Sequence, residues 1–413
     1  MNGPRTVCCE SLPANRRTIA VAPVDRSSSP YQSHPFRPSV PNPRYAHPEA
    51  AMTVVESFHA DHGAVFTDRG SRRYPLHYGR PDRTHRAVRN AVGVTEAPYG
   101  VVSVTGEDRV EYVDNVVSNR VPGEDGQGVY ALLCDPQGGI VTDLYVYNAG
   151  ERLLLFTAPG HAEPIAADWS EKTFIQDVTI EAATETFAVF GVHGPSATEK
   201  VGSVFNRGAP DGTLVFDRGE IADVGVTVIA GDDPLGEESY EVVCRAEEAE
   251  RVVSGLLTFG TGAAPFGLQT WESLALEAGT PLFPGELEGR IPNVVGLRNA
   301  VDFEKGCFVG QEVVSRVENR GQPSKRLVGL ACEALPEPGA AVFDGDSSVG
   351  EVTRAAESPL LDTAIAFAFV PFDLESEELS VRVTGEEVGA ERVELPFVEG
   401  SGRSVRLPSY RSD

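Results

Sequence analysis

Residues 128–157 hold three short apolar runs broken by two tight turns. The runs are Gly128–Cys134, Ile140–Tyr147 and Arg152–Thr157. The breaks are Asp135-Pro136-Gln137-Gly138-Gly139 and Asn148-Ala149-Gly150. Gaps of three to five residues rich in Gly, Asn and Asp join antiparallel strands, whereas a parallel pair needs a crossover of a dozen residues or more. This stretch therefore predicts an antiparallel meander, and it excludes an all-helical chain and a purely parallel α/β sheet.

Helices and further strands flank the meander. Ala87, Val88, Ala91 and Val92 share one side of a short helix over Arg83–Val92. Val110, Val113 and Val117 keep helical spacing across Glu107–Val117. Val101–Val104, Thr186–Val192, Val226–Ile229 and Tyr240–Cys244 read as strands, and Ala246–Leu257 and Leu268–Ala278 as helices. Pro195 is expected to open a helix, where a missing N–H costs nothing. Beyond Pro323 the texture changes to short β runs (Leu327–Ala331, Val342–Phe343, Gly350–Thr353, Ala364–Phe369, Leu379–Val383) between Gly, Pro and acidic turns. That pattern predicts a separate small β-barrel. The fold class is α+β: a body of antiparallel sheets and helices at 52–322, read as two interleaved subdomains, and a C-terminal barrel at 323–400. Residues 401–413 are expected to fray.

Residues 1–51 do not fit this body. They hold nine prolines, six arginines and three acidic residues, with no apolar periodicity and no secretory h-region. They read as a disordered extension, with translation starting at Met52 instead of Met1 as one account and a genuine flexible tail as the other. Their charge of +3 leaves −29 on the rest, within a net −26. Carboxylates spread along the chain, with lysine only at 172, 200, 305 and 325, repel nucleic acid and anionic lipid and suit a salt-rich cytoplasm. Nucleic-acid and membrane partners are not expected, and nothing in the pattern demands more than a monomer. The six cysteines include no CxxC pair and no zinc-spaced Cys/His cluster, so no metal site is expected. No apolar run reaches the length of a membrane helix. GxxxxGK[ST], HExxH, GxSxG and a complete GxGxxG are all absent, which argues against phosphoryl transfer, zinc or serine hydrolysis and dinucleotide chemistry.

The sharpest segment is Lys305-Gly306-Cys307-Phe308-Val309-Gly310-Gln311-Glu312, continuing to Arg316. Gly306 and Gly310 let the backbone bend around the cysteine, and a lysine two residues away can raise the thiolate fraction of Cys307. The same residues also describe a buried structural cysteine beside a turn.

KGCFVGQE with its following arginine resembles the signature of YgfZ-type proteins, folate-binding relatives of the glycine-cleavage T-protein that support iron–sulfur enzymes. His85–Val94 is similar to the first T-protein helix. Tyr130 with Gly138-Gly139-Ile140-Val141-Thr142-Asp143-Leu144 resembles the Tyr…GGxxDDL hairpin. Gly194-Pro195, Gly236–Glu241 and Leu276-Glu277-Ala278-Gly279 resemble further family segments, and Gly350–Thr353, Ser358-Pro359 and Pro396-Phe397 track its barrel. The likeness runs from about Met52 to Phe397. It implies a cleft for tetrahydrofolate or a one-carbon derivative, with Glu241 as the carboxylate for the pterin edge and Tyr130 and Asp143 beside it. Trp271 is added here as a ring to stack on.

Two departures bear on chemistry. The resemblance places the catalytic aspartate of T-proteins at Thr142, which cannot act as a carboxylate base, and their folate-contacting arginine at Trp271. The expected function is accordingly a folate-binding accessory factor serving iron–sulfur client proteins, with Cys307 and Lys305 as its reactive pair at the cleft mouth and Gln311 and Glu312 fixing the loop. The alternative is a folate-dependent aminomethyltransferase or demethylase. If it is an enzyme, it is a one-carbon transferase.

Overall fold

The computed structural model of the protein describes residues 51–411. The meander forms as expected. Gln127–Cys134, Ile140–Asn148 and Arg152–Thr157 pair antiparallel, and Gly100–Thr105 and Thr179–Ala182 complete a five-stranded sheet. A second sheet runs in the order Phe216–Ile221, Val224–Ala230, Ser239–Arg245, Phe187–His193, Gly93–Glu96, Ala264–Pro265. The chain moves between the sheets at 96–100 and again at 182–187, so the first sheet is one continuous insertion between the Gly93–Glu96 strand and the rest of the second. Lys325–Cys332 through Glu386–Val393 close into a six-stranded antiparallel barrel, as the short β runs predict.

Side-chain alternation builds the layers. On the first sheet, Tyr130, Leu132, Tyr145, Tyr147 and Phe156 face inward and pack against Val189, Ile229 and Val243 of the second sheet and Phe367 and Phe369 of the barrel. The alternate residues, Ala131, Leu144, Val146 and Leu155, face the helices Arg109–Val116 and Ala162–Lys172 through Val113, Ile165 and Trp169. Both faces of this sheet are therefore buried, which is why its strands read as nearly continuous apolar runs.

Several elements differ from expectation. The helix expected at Pro195 starts two residues later, at Ala197–Val204. Ala162–Lys172 is a helix that the sequence pattern did not mark, because Trp169, Ala166 and Ile165 are its main apolar contacts. Gln311 and Glu312 do not lie in the loop. They open the helix Gln311–Arg320, which starts from Gly310 in the left-handed region (φ 83°). Of the extension over 1–51, only Ala51 lies among the described residues. It and Met52 pair with Arg72 and Arg73, so the strand includes one residue assigned to the extension.

The expectation of a frayed tail at 401–413 is overturned for 401–411. Gly402 N–H donates to Gly236 O, Val405 N–H to Asp232 O and Ser409 N–H to Gly296 O. Tyr410 donates its hydroxyl to Val294 O at 3.0 Å and accepts from Leu327 N–H at 2.7 Å. Ser404 and Arg406 are buried. The segment lacks apolar periodicity because polar groups hold it in place. Among the described residues no helix is long and apolar enough to cross a membrane, and no group of three or more metal-ligating side chains occurs.

Candidate active site: an aromatic cleft with an unsatisfied carboxylate

The strand ends around 96, 191 and 241, the hairpin 140–157 and the helix Leu268–Glu277 enclose a cleft of about 550 Å³. That is the size of a small-molecule site. Tyr99, Tyr145, Phe156, Trp271 and Phe283 give it an aromatic lining. Glu96, Asp143, Glu241, His193 and Arg406 are among its polar groups.

Glu241 projects from the strand Ser239–Arg245. Its Oε1 accepts a 2.6 Å hydrogen bond from the Tyr99 hydroxyl, while Oε2 is shielded from water and has no partner. Burial pushes the carboxyl up to about 7, against the opposing pull of the Tyr99 bond. Glu96 lines the same cleft but is spoken for. It accepts from the Thr53 hydroxyl and lies 2.9 Å from His59 Nε2, whose Nδ1 meets the Tyr78 hydroxyl at 2.8 Å. An unpaired buried acceptor is costly, so Glu241 is the group that a ligand with N–H donors would complete.

Asp143 stands on the opposite wall. Its Oδ2 accepts from Tyr130 at 2.9 Å and lies 3.7 Å from the Arg406 guanidinium. Arg406 also sits 3.2 Å from Asp232 and over the rings of Tyr130 and Tyr145, at 5.0 and 5.6 Å. Asp232 in turn accepts from the Tyr145 hydroxyl at 2.8 Å. One guanidinium thus serves two carboxylates. Burial raises the Asp143 carboxyl above its ordinary range despite Arg406 and Tyr130.

Strand alternation revises the reading of the hairpin. Thr142 is fully buried on the helix-facing side, with its hydroxyl donating to Asp143 O at 3.1 Å, whereas Asp143 lines the cleft. A carboxylate at 142 would point away from the ligand space. The threonine there therefore removes no carboxylate from the cleft, and Thr142 does not exclude transfer chemistry.

The expected site residues separate into two places. Asp143, Glu241 and Trp271 line the cleft. Tyr130 lies one layer behind and meets it through Asp143. Cys307 is exposed and does not line the cleft. Lys305 is not its activator. The lysine Nζ is buried and donates to the carbonyls of Asp114, Val117 and Asn119 at 2.6, 3.0 and 2.8 Å, with Asp114 Oδ1 at 3.2 Å. Those carbonyls end the helix Arg109–Val116, where a cation satisfies orphaned acceptors. Gly306 is exposed beside Cys307. Gly310 packs on the hairpin turn, and a Cβ there would meet Asp135 O at 2.5 Å. Glu312 and Arg316 are exposed on the following helix and Gln311 is half-buried.

Sequence reasoning missed Tyr99, His193, Asp232 and Arg406. No spacing links them. His193 directly precedes the Gly194-Pro195 turn, and Arg406 lies within the C-terminal segment 401–413.

Residues 55–305 match the GCVT N-terminal domain, and 325–399 match the glycine cleavage T-protein C-terminal barrel domain. The chain is 31% identical over 365 residues to an aminomethyltransferase of Streptomyces coelicolor, and 29% identical over 359 residues to one of Listeria innocua. Each alignment covers 84% of this chain and 98% of the relative. The crystal structure of glycine cleavage system aminomethyltransferase T from Bartonella henselae shares the fold with a TM-score of 0.76 at 23% identity, over 86% of this chain and 99% of that one. With its body and barrel both matched along most of their length, the chain belongs to the glycine cleavage T-protein family.

Proposed function

We propose that the cleft binds tetrahydrofolate or a one-carbon derivative, and that the chain is a folate-dependent one-carbon transferase of the aminomethyl type. The observation that carries this reading is the unpartnered, shielded Oε2 of Glu241 at the wall of an aromatic cleft. A pterin is flat, stacks on rings, and presents adjacent N–H donors on one edge. Glu241 would accept from that edge, and Trp271 offers a face to stack on. The bound folate would supply a nucleophilic nitrogen to carry the one-carbon unit. Asp143, across the cleft from Glu241, is a carboxylate placed to hold a proton, with Tyr130 and Arg406 fixing its orientation. Burial raises its pKa above the ordinary carboxylate range, which strengthens it as a proton acceptor.

The test is titration calorimetry with tetrahydrofolate, run beside a transfer assay from an aminomethylated lipoyl carrier. Glu241→Gln is expected to weaken binding at least tenfold, and Asp143→Asn to keep binding but lose transfer a hundredfold or more. Unchanged tetrahydrofolate affinity in Glu241→Gln would overturn the reading.

The exposed thiol of Cys307, in the segment that resembles the YgfZ signature, favours a second reading: a folate-binding accessory factor for iron–sulfur client proteins. On that reading Cys307→Ser leaves tetrahydrofolate affinity intact but fails to restore iron–sulfur enzyme activity in a strain lacking the protein. Full restoration by the serine variant removes the case for a chemical role of the thiol.

A further inference from the structure

His193 ends the strand Phe187–His193 and lines the cleft, yet it belongs to none of the hydrogen-bonded networks above. Its side chain is 4% exposed, and Nδ1 is buried without a partner. Strand register fixes where the ring lies. Gly191 stands directly opposite Glu241 on one neighbouring strand and opposite Thr95 on the other. Opposed residues in an antiparallel pair project to the same face. A Cβ on Gly191 would fall 2.4 Å from His193 Nε2. The imidazole therefore fills the space that any larger residue at 191 would take, on the Glu241 face and one strand spacing from it. Phe266 holds the ring edge-on at 5.9 Å between centroids.

Two unsatisfied polar side chains on adjoining strands of one cleft wall are a pattern that water-filled surface does not produce. The choice of tautomer follows from burial. An N–H at the shielded Nδ1 would be an orphaned donor, the rarer and costlier defect, so the proton belongs on Nε2, toward Gly191 and the cleft. Burial, aided by the nearby Arg406 cation, lowers the imidazole to about 3, so the ring is neutral across the physiological range.

We propose that His193 is a specificity-determining residue, whose neutral Nε2–H donates to a ring carbonyl oxygen next to the N–H group that Glu241 accepts. The pair then reads a donor–acceptor sequence, the edge of a 2-amino-4-oxo heterocycle. It rejects the 4-amino form, which would set a donor against a donor. This inference rests on the folate reading of the cleft and adds to it the residue that discriminates at the 4-position.

The experiment compares tetrahydrofolate with 4-amino-4-deoxytetrahydrofolate by titration calorimetry. Wild type is expected to prefer the 4-oxo compound by roughly thirtyfold or more, because a site built around a hydrogen bond rejects a ligand that leaves it unpaired. His193→Ala should shrink that preference at least fivefold, the remainder coming from Glu241, which meets a ring nitrogen without a hydrogen in the 4-amino compound, while His193→Gln, which keeps an N–H donor, should retain most of the preference. If His193→Ala folds poorly, the wild-type imidazole can be followed by 15N NMR: its Nε2–H resonance should shift and become protected from exchange when tetrahydrofolate binds. A preference unaltered in His193→Ala, or an Nε2–H indifferent to tetrahydrofolate, overturns the inference alone. Failure of both compounds to bind wild type overturns the folate reading, and this one with it.

Discussion

Glu241 holds its proton near neutral pH because the cleft desolvates it more than the single Tyr99 bond compensates. A ligand N–H needs the ionised form. Tetrahydrofolate affinity should therefore be flat above about pH 7 and fall roughly tenfold per pH unit below it. Titrations between pH 5.5 and 8.5 check this, and Glu241→Gln should lose the dependence. The same shift has a stability consequence. A carboxyl whose pKa is raised on folding stabilises the native state fully below its unfolded value, near 4.5, and loses that contribution as pH rises through about 7. Thermal melts should show Glu241→Gln gaining up to about 3 kcal/mol over wild type at pH 8, and little at pH 4.5. Lys305 presents the opposite case. Its buried ammonium is committed to three carbonyls and Asp114. Lys305→Met should cost about 2–4 kcal/mol in urea unfolding, by stranding those acceptors, without changing the reactivity of Cys307 toward a thiol probe.

At the scale of elements, what the sequence could show depended on what holds each segment. The hairpin 127–148 was legible because a two-residue period and the Asp-Pro-Gln-Gly-Gly turn act locally. The barrel was legible for the same reason, as were Glu241, Asp143 and Trp271 once the family likeness aligned their segments. The segment 402–411 was not legible, since its order comes from contacts with residues more than a hundred positions away, such as Gly236 and Gly296. Nor could the sequence tell which of positions 142 and 143 enters the cleft; that depends on the face the strand buries, and both of its faces are covered. The loop 305–310 was legible as a tight bend but not as to what it bends around. Gly310 combines a left-handed φ of 83° with a close approach to Asp135 O and Gly138 Cα. Gly310→Ala is expected to cost about 2 kcal/mol or more in urea unfolding, because strain and steric overlap add there. The hairpin should loosen with it, seen as faster amide exchange at Gly138 and Gly139.

Across the whole molecule two kinds of electrostatics coexist, and salt separates them. The chain carries a net −26, and several of its ion pairs are solvent-exposed, such as Arg218 with Asp125 and Lys172 with Asp168. Exposed pairs contribute little, whereas self-repulsion among the surplus carboxylates acts over a Debye length of about 8 Å at physiological ionic strength and about 3 Å at 1 M. Raising KCl from 0.1 to 2 M should therefore raise the melting temperature. The Asp232–Arg406–Asp143 network sits where counterions do not reach, with Arg406 only 5% exposed. Arg406→Met leaves two buried carboxylates without their cation and should cost about 3–5 kcal/mol. That penalty should be nearly the same at 0.1 and 2 M KCl, so the wild-type and Arg406→Met melting curves rise with salt in parallel. A penalty that shrank as salt rose would mean that solvent reaches Arg406, and the C-terminal segment would then be a flap over the cleft instead of part of its wall.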